Sequence, residues 1–123
     1  MIKSFTDLNA WKEGHKLVLF VYKITAKFSK KETYSLVDQM RRSAVSITSN
    51  IAEGFGRQSY KDRLKFYFQA QGSLTELKNQ ILVAKDVGYL EDGDFKVLSN
   101  QANITHRLLQ GLMSSTKRII DSK

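Results

Sequence analysis

The chain contains no proline and no cysteine, and each absence removes a set of structures. Average usage would place about six prolines in a chain of this length. Proline lacks the backbone N–H and clashes with the preceding turn, so a chain without any is free to be long helix throughout. Without cysteine there is no disulfide framework, no thiolate-ligated zinc or iron–sulfur centre and no thiol nucleophile. Long apolar runs are missing as well. The longest, residues 17–22, is six residues, where a membrane span needs ~20. The opening Met-Ile-Lys-Ser-Phe-Thr-Asp has no apolar signal core and no small-residue cleavage site. A cytoplasmic protein with no membrane partner is expected. Acidic residues are the scarcer charge: 12 Asp+Glu against 20 Lys+Arg give a net charge of +8 and a pI near 9.8. That excess favours an anionic partner, nucleic acid foremost, and says nothing about fold.

Chemistry is thinly supplied. Only His15 and His106 are present, and neither has a second His or a carboxylate at metal-ligand spacing. His15 falls in an apolar row and is expected to be a core histidine. Asn50, Glu53, Ser73 and Glu76 form no set of nucleophile, base and orienting group. Gly54-Phe55-Gly56 lacks the Lys-Ser/Thr of a phosphate loop and reads as a helix end. No catalytic residue, metal or cofactor is expected.

What is present is helical periodicity. With 41% apolar and 26% charged residues, residues 1–123 read as one globular domain. A first helix is predicted over about 8–28, with one row of Leu8, Trp11, His15, Val18, Tyr22 and Thr25. A second row of Leu17, Phe20, Val21, Ile24 and Phe28 lies on its other side. A bundle helix needs one apolar stripe, so the second row means either a deeply buried helix or a partner surface; in so small a chain a partner surface and a closed homo-oligomer are expected. A polar turn at 29–33 follows. Ser35 with Asp38 reads as the start of a second helix reaching Phe55, with a core row of Leu36, Met40, Ala44, Ile47, Ile51 and Phe55. Gly54 and Gly56 offer left-handed positions to end it. Ser59 with Asp62 opens a third helix over about 60–87, whose seam of Tyr67, Ala70, Leu74, Leu77, Ile81, Ala84 and Gly88 alternates three and four, with Gly88-Tyr89-Leu90 ending it. Acidic residues 91–94 suit the N-terminus of a fourth helix, expected to bury Phe95, Leu98, Ala102, Leu109, Leu112, Thr116 and Ile119. The fold class is all-α, an antiparallel up-down-up-down four-helix bundle.

Two interaction features stand out. Arg41, Arg42, Arg57, Lys61, Arg63 and Lys65 gather around helices two and three with Tyr60, Phe66 and Tyr67 among them. Cations neutralise phosphates and aromatic rings stack on bases, which makes these six the candidate nucleic-acid contacts. Arg42, Arg57, Lys61 and Lys65 are placed near one end of the bundle. The second feature is a polar row: Gln39, Ser43, Ser46, Asn50 and Glu53 opposite Gln69, Ser73, Glu76 and Gln80, with Gly72 nearby. Small and amide side chains of this kind predict a helix–helix or subunit seam, in which Asn50 and Glu53 are structural.

The stretch from Gln39 to Arg57, with Ser49-Asn50-Ile51-Ala52-Glu53-Gly54 at its centre, resembles the 23S rRNA intervening-sequence proteins. Phe5, Asp7-Leu8, Trp11, Gly72-Ser73-Leu74 and Glu76-Leu77 extend the likeness over essentially the whole chain. Ser29 stands where the family usually has proline after the Phe. The resemblance implies a cytoplasmic bacterial four-helix bundle with no known catalytic residues. It is similar in turn to accessory variability proteins of diversity-generating retroelements, which implies a pentameric ring that binds RNA or DNA and a reverse transcriptase. A protein-interaction scaffold without nucleic acid is the alternative.

Overall fold

A computed structural model describes residues 1–29 and 33–123, without the side chains of Thr33 and Tyr34. Four α-helices form: α1 over Asn9–Thr25, α2 over Asp38–Phe55, α3 over Tyr60–Asp86 and α4 over Asp92–Asp121. No strand occurs among the described residues. Each helix packs against the next, and α1 closes the ring on α4. Side chains that reach between helix ends fix the directions. Arg41 reaches the end of α1 at Thr25, Lys27 pairs with Asp94 at 2.7 Å, and Lys123 lies over Tyr60. The helices therefore alternate in direction, as the short connections require.

α3 follows its sequence pattern most closely. Ser59 caps it by accepting from the Asp62 N–H at 3.1 Å, which satisfies a first-turn donor with no helical partner. Tyr67, Ala70, Leu74, Leu77, Ile81 and Ala84 are all buried. Gly88 ends the run with φ +88°, a conformation side chains disfavour, while the Tyr89 N–H turns back to the Ala84 carbonyl at 2.9 Å.

α1 and its N-cap bury part of both expected rows, Leu8, Val18 and Thr25 of the first and Leu17, Val21 and Ile24 of the second. His15 is exposed and stacks on Trp11, 4.7 Å between ring centres, so it is not a core histidine. Tyr22 is 43% exposed, whereas Leu17 and Val21 of the second row are fully buried. Beside Val18 and Thr25, the buried residues Ala10, Gly14, Leu17, Val21 and Ile24 follow the four–three alternation of a bundle seam. Its first two members are too small to register as an apolar row. Gly14 belongs there because an added Cβ would come within 3.1 Å of Thr48. The second row is the core itself, and the partner surface expected on it is not there.

Two helix-end expectations are corrected as well. The chain is already wound through Thr33–Val37, a π-type turn running into α2, so Ser35 cannot be the non-helical residue that caps it. The polar turn expected at 29–33 falls mostly outside the described residues. Gly54 and Gly56 are not left-handed, since Gly88 is the one positive-φ glycine among the described residues. Gly54 instead lets α2 and α3 touch: a Cβ there would lie 2.8 Å from Tyr67 and 2.9 Å from Phe66.

α4 buries Leu98, Ala102, Leu109 and Thr116 as expected, and Gln101, Thr105 and Met113 besides. Gln101 is an internal tie. Its amide donates to the Glu13 carbonyl at 2.8 Å and to the Glu13 carboxylate at 3.1 Å, joining α1 to α4.

Candidate nucleic-acid interface

The six basic candidates divide between opposite ends of α2. Arg41 and Arg42 lie at its start and Arg57 just beyond its end, about 22 Å away at 1.5 Å per residue. Arg42 is therefore not at the end of the bundle that holds Arg57, Lys61 and Lys65. Arg41 is engaged within the fold: its Nε donates to the Thr25 hydroxyl at 3.0 Å, and its guanidinium lies 4.7 Å from the Tyr22 ring centre. Arg42 pairs with Asp38 at 2.8 Å.

At the other end the close α2–α3 approach over Gly54 gathers rings and cations. Arg57 lies over Phe66 at 4.6 Å, and Arg63 lies between Phe55 at 5.1 Å and Tyr60 at 4.9 Å. Arg63 Nε also donates to the Arg57 carbonyl at 2.8 Å, which fixes the turn. The antiparallel course of α4 adds Lys123 over Tyr60 at 5.5 Å and Lys117 over Phe68 at 5.2 Å. A hollow of about 290 Å³ opens between Gln58, Ser59, Tyr60, Lys61, Ile120 and Lys123. The N-terminus of α3 faces the same end, and its unpaired N–H groups add positive potential.

Acidic neighbours do little to quench this charge. Residues 53–68 and 114–123 hold seven Lys/Arg and three Asp/Glu. Glu53 meets Arg57, and Asp62 meets Lys65, each at 3.7 Å between side chains at least half exposed. Such pairs contribute about 0–1 kcal/mol and exchange readily for a phosphate. Lys117 and Lys123 are the members that sequence reading misses. The signal for them is topological, because an up-down-up-down order must return the end of α4 to the start of α3.

The polar row divides too. Ser46 and Ser73 share a hydrogen bond at 2.8 Å, and the buried Ser43 donates to Glu76 at 3.3 Å. Gln80, also buried, donates to the same Glu76 oxygen at 3.2 Å. This is a ladder between α2 and α3. Asn50 turns back on its own helix, donating to the Ser46 carbonyl at 2.8 Å. Glu53 is 61% exposed at its side chain, Gln39 and Gln69 are exposed, and Gly72 meets nothing within 4 Å. Asn50 also donates to the Ser46 hydroxyl at 3.2 Å and so supports the ladder, whereas Glu53, Gln39, Gln69 and Gly72 stand outside it. No group of three or more His, Asp or Glu among the described residues could hold a metal ion, and no helix there is long and apolar enough to cross a membrane.

Residues 6–111 match the family model described as 23S rRNA-intervening sequence protein. Comparison with curated proteins returns no match. Among solved structures the chain resembles a crystal structure of a protein with unknown function from the S23 ribosomal protein family of Bacteroides thetaiotaomicron VPI-5482. The two share 18% identity at a TM-score of 0.76, over 85% of this chain and 97% of the other. At that identity the likeness is one of fold.

Proposed function

The chain belongs to the 23S rRNA-intervening sequence protein family, and we propose that it is a non-enzymatic cytoplasmic module that binds RNA or another nucleic acid by its backbone. The observation that carries this is the gathering of Arg57, Arg63, Lys117 and Lys123 over Phe55, Tyr60, Phe66 and Phe68, with Lys61 and Lys65 on the first turns of α3 at the same end of the bundle. Three helices supply these residues, so the cluster is a product of the fold and not of one basic stretch. The cations supply attraction for phosphates, and the rings hold the longer side chains in place while offering surfaces for unpaired bases. No groove-reading helix or sheet motif accompanies them, so recognition is of backbone and shape.

Mobility-shift titration against structured RNA, single strands and duplex DNA at two salt concentrations tests this. Replacing Arg57, Lys61, Lys65 and Lys123 with Gln should weaken binding to every sequence alike. The double variant Arg41→Gln/Arg42→Gln, at the far end, should bind as the parent does. A parent that binds nothing at low salt, or a quadruple variant that binds normally, overturns the reading.

A second reading is self-association as a scaffold. It is supported by Leu82, Val83, Val87, Tyr89 and Val97, which stand 37–54% exposed around the α3–α4 turn. Light scattering at micromolar concentration tests it, and a stable monomer removes it. If the chain does form the pentamer its family resemblance implies, five basic ends on one particle would add by avidity on a long polyanion.

A further inference from the structure

A long acid-free stretch lies on the outer side of α3 and α4. Residues 95–120 contain no Asp or Glu at all. Residues 63–85 contain one, Glu76, and it turns toward α2, where Ser43 donates to it. Along this face three pairings between the helices follow in register. Lys117 covers Phe68 at 5.2 Å, Lys78 Nζ meets His106 Nδ1 at 3.2 Å, and Lys85 covers Phe95 at 4.2 Å. From Phe68 to Lys85 the line runs about 26 Å along α3. Two hollows lie between the pairings. One of about 270 Å³ is lined by Gln71, Gln110 and Ser114 beside Phe68, and one of about 170 Å³ by Lys78, Leu82, Ser99 and Asn103.

The centre of this groove holds a partly buried ammonium, Lys78, hydrogen-bonded to the His106 imidazole and with no acid beside it among the described residues. Lys78 and His106 are two basic groups facing each other, and neither has a carboxylate within salt-bridge reach among the described residues. Burial lowers the pKa of the Lys78 ammonium. Burial, and then the charge on Lys78, lower that of the His106 imidazole. An anion beside the Lys78 ammonium would offset the cost of its burial.

We infer that the α3–α4 groove is a track for an unpaired strand of nucleic acid, continuous with the basic end through Lys117 and Phe68. The inference rests on the nucleic-acid reading above and extends it to a preference for single strands. Phosphates meet the cations at Lys117, Lys78 and Lys85. The amides of Gln71, Gln110 and Asn103 carry both donors and acceptors, which suits base edges. Phe68, 46% exposed, offers a ring for stacking. A rigid duplex would rest on the rims of the groove, whereas a flexible strand follows its floor. An acidic peptide would use the cations but not the row of amides.

Fluorescence anisotropy tests this with a labelled single-stranded RNA, the duplex of the same length, and polyglutamate as competitor. The groove variant is Lys78→Glu/Lys85→Glu. Its new carboxylate at 78 faces His106, so the fold has an ion pair to gain there, and circular dichroism checks it. Should it not fold, Lys78→Gln/Lys85→Gln takes its place. The parent should prefer the single strand. The groove variant should lose roughly tenfold or more of that affinity at low salt. Its salt slope should be flatter by about 1.4, the share of two phosphates that are no longer neutralised. Its duplex affinity should hardly move. A groove variant that binds single strands like the parent overturns the track and leaves the basic end standing. A parent that binds no nucleic acid removes both. Displacement of RNA by polyglutamate at equal charge concentration reassigns the groove to an acidic protein.

Discussion

Replacing Gly54 by Ala should destabilise the bundle, although the same change in an isolated helix would stabilise it. Ala at a helix-interior glycine is worth about 1 kcal/mol from propensity alone. Here the added methyl would lie 2.8 Å from the Tyr67 ring, 2.9 Å from the Phe66 Cβ and 3.1 Å from the Arg63 carbonyl. Two of those three neighbours are a Cβ and a backbone oxygen, which move only if α3 moves, and Tyr67 is fully buried. Overpacking of this kind costs about 1–3 kcal/mol and more if the helices part, so packing outweighs propensity. The net expectation is a loss centred on about 1 kcal/mol and reaching about 2, or roughly 4–8 °C in Tm for a domain of this size. Gly72→Ala is the internal control. It lies in the middle of α3 with nothing within 4 Å, and should gain about 0.5–1 kcal/mol. Thermal and urea melts of the two variants read the difference directly. A Gly54→Ala protein as stable as the parent would refute the close approach of α2 and α3 on which the basic end is built.

Three further outcomes follow from the same geometry. Glu76→Ala leaves the buried Ser43 and Gln80 without their shared acceptor and should cost about 1–2 kcal/mol, while Glu53→Ala, which loses an exposed pair, should stay within about 0.5 kcal/mol; urea melts separate them. Ser59→Ala removes the cap of α3 and should cost about 1 kcal/mol, with Ser59→Asn restoring most of it in the same melt. His106 is held below the ordinary histidine value by burial and then by Lys78, so the unfolded chain takes the proton first as pH falls. Stability should therefore decline from the ordinary value down to the lowered one and then level off. His106→Gln should remove that step in Tm measured from about pH 7 to about pH 5.

The fold is legible in the sequence wherever one regular row of large residues meets one neighbour. α3 is the clearest case: its seam alternates three and four without interruption, and Ser59 and Gly88 mark its two ends. α1 carries apolar residues around most of its circumference, and its true seam begins with Ala10 and Gly14, whose role is to be small. Their contribution is visible only once Thr48 is opposite Gly14. Gly54 reads as a helix end because a glycine before a polar turn commonly is one. Its real partner, Tyr67, lies thirteen residues ahead on another helix. The candidate site is half legible for a related reason. Arg57, Lys61, Arg63 and Lys65 are close in the chain, whereas Lys117 and Lys123 join them only through the bundle's topology. Arg41 and Arg42, not far from the others in the chain, are separated from them in space by the length of α2. The polar row shows the composition of a seam, but spacing alone cannot tell that Ser43, Ser46, Ser73 and Glu76 meet across it while Glu53 faces solvent.

The central claim, that the basic end neutralises phosphates, is tested most directly by the salt dependence of single-stranded RNA binding to the parent chain. Release of counterions contributes a log–log slope of about −0.7 for each phosphate neutralised on a single strand. Neutralisation by Arg57, Lys61, Lys65 and Lys123 therefore predicts a slope of about −3 or steeper per chain. The variant with all four replaced by Gln should retain less than half of it. A parent slope near zero, or no binding at low salt, contradicts the account.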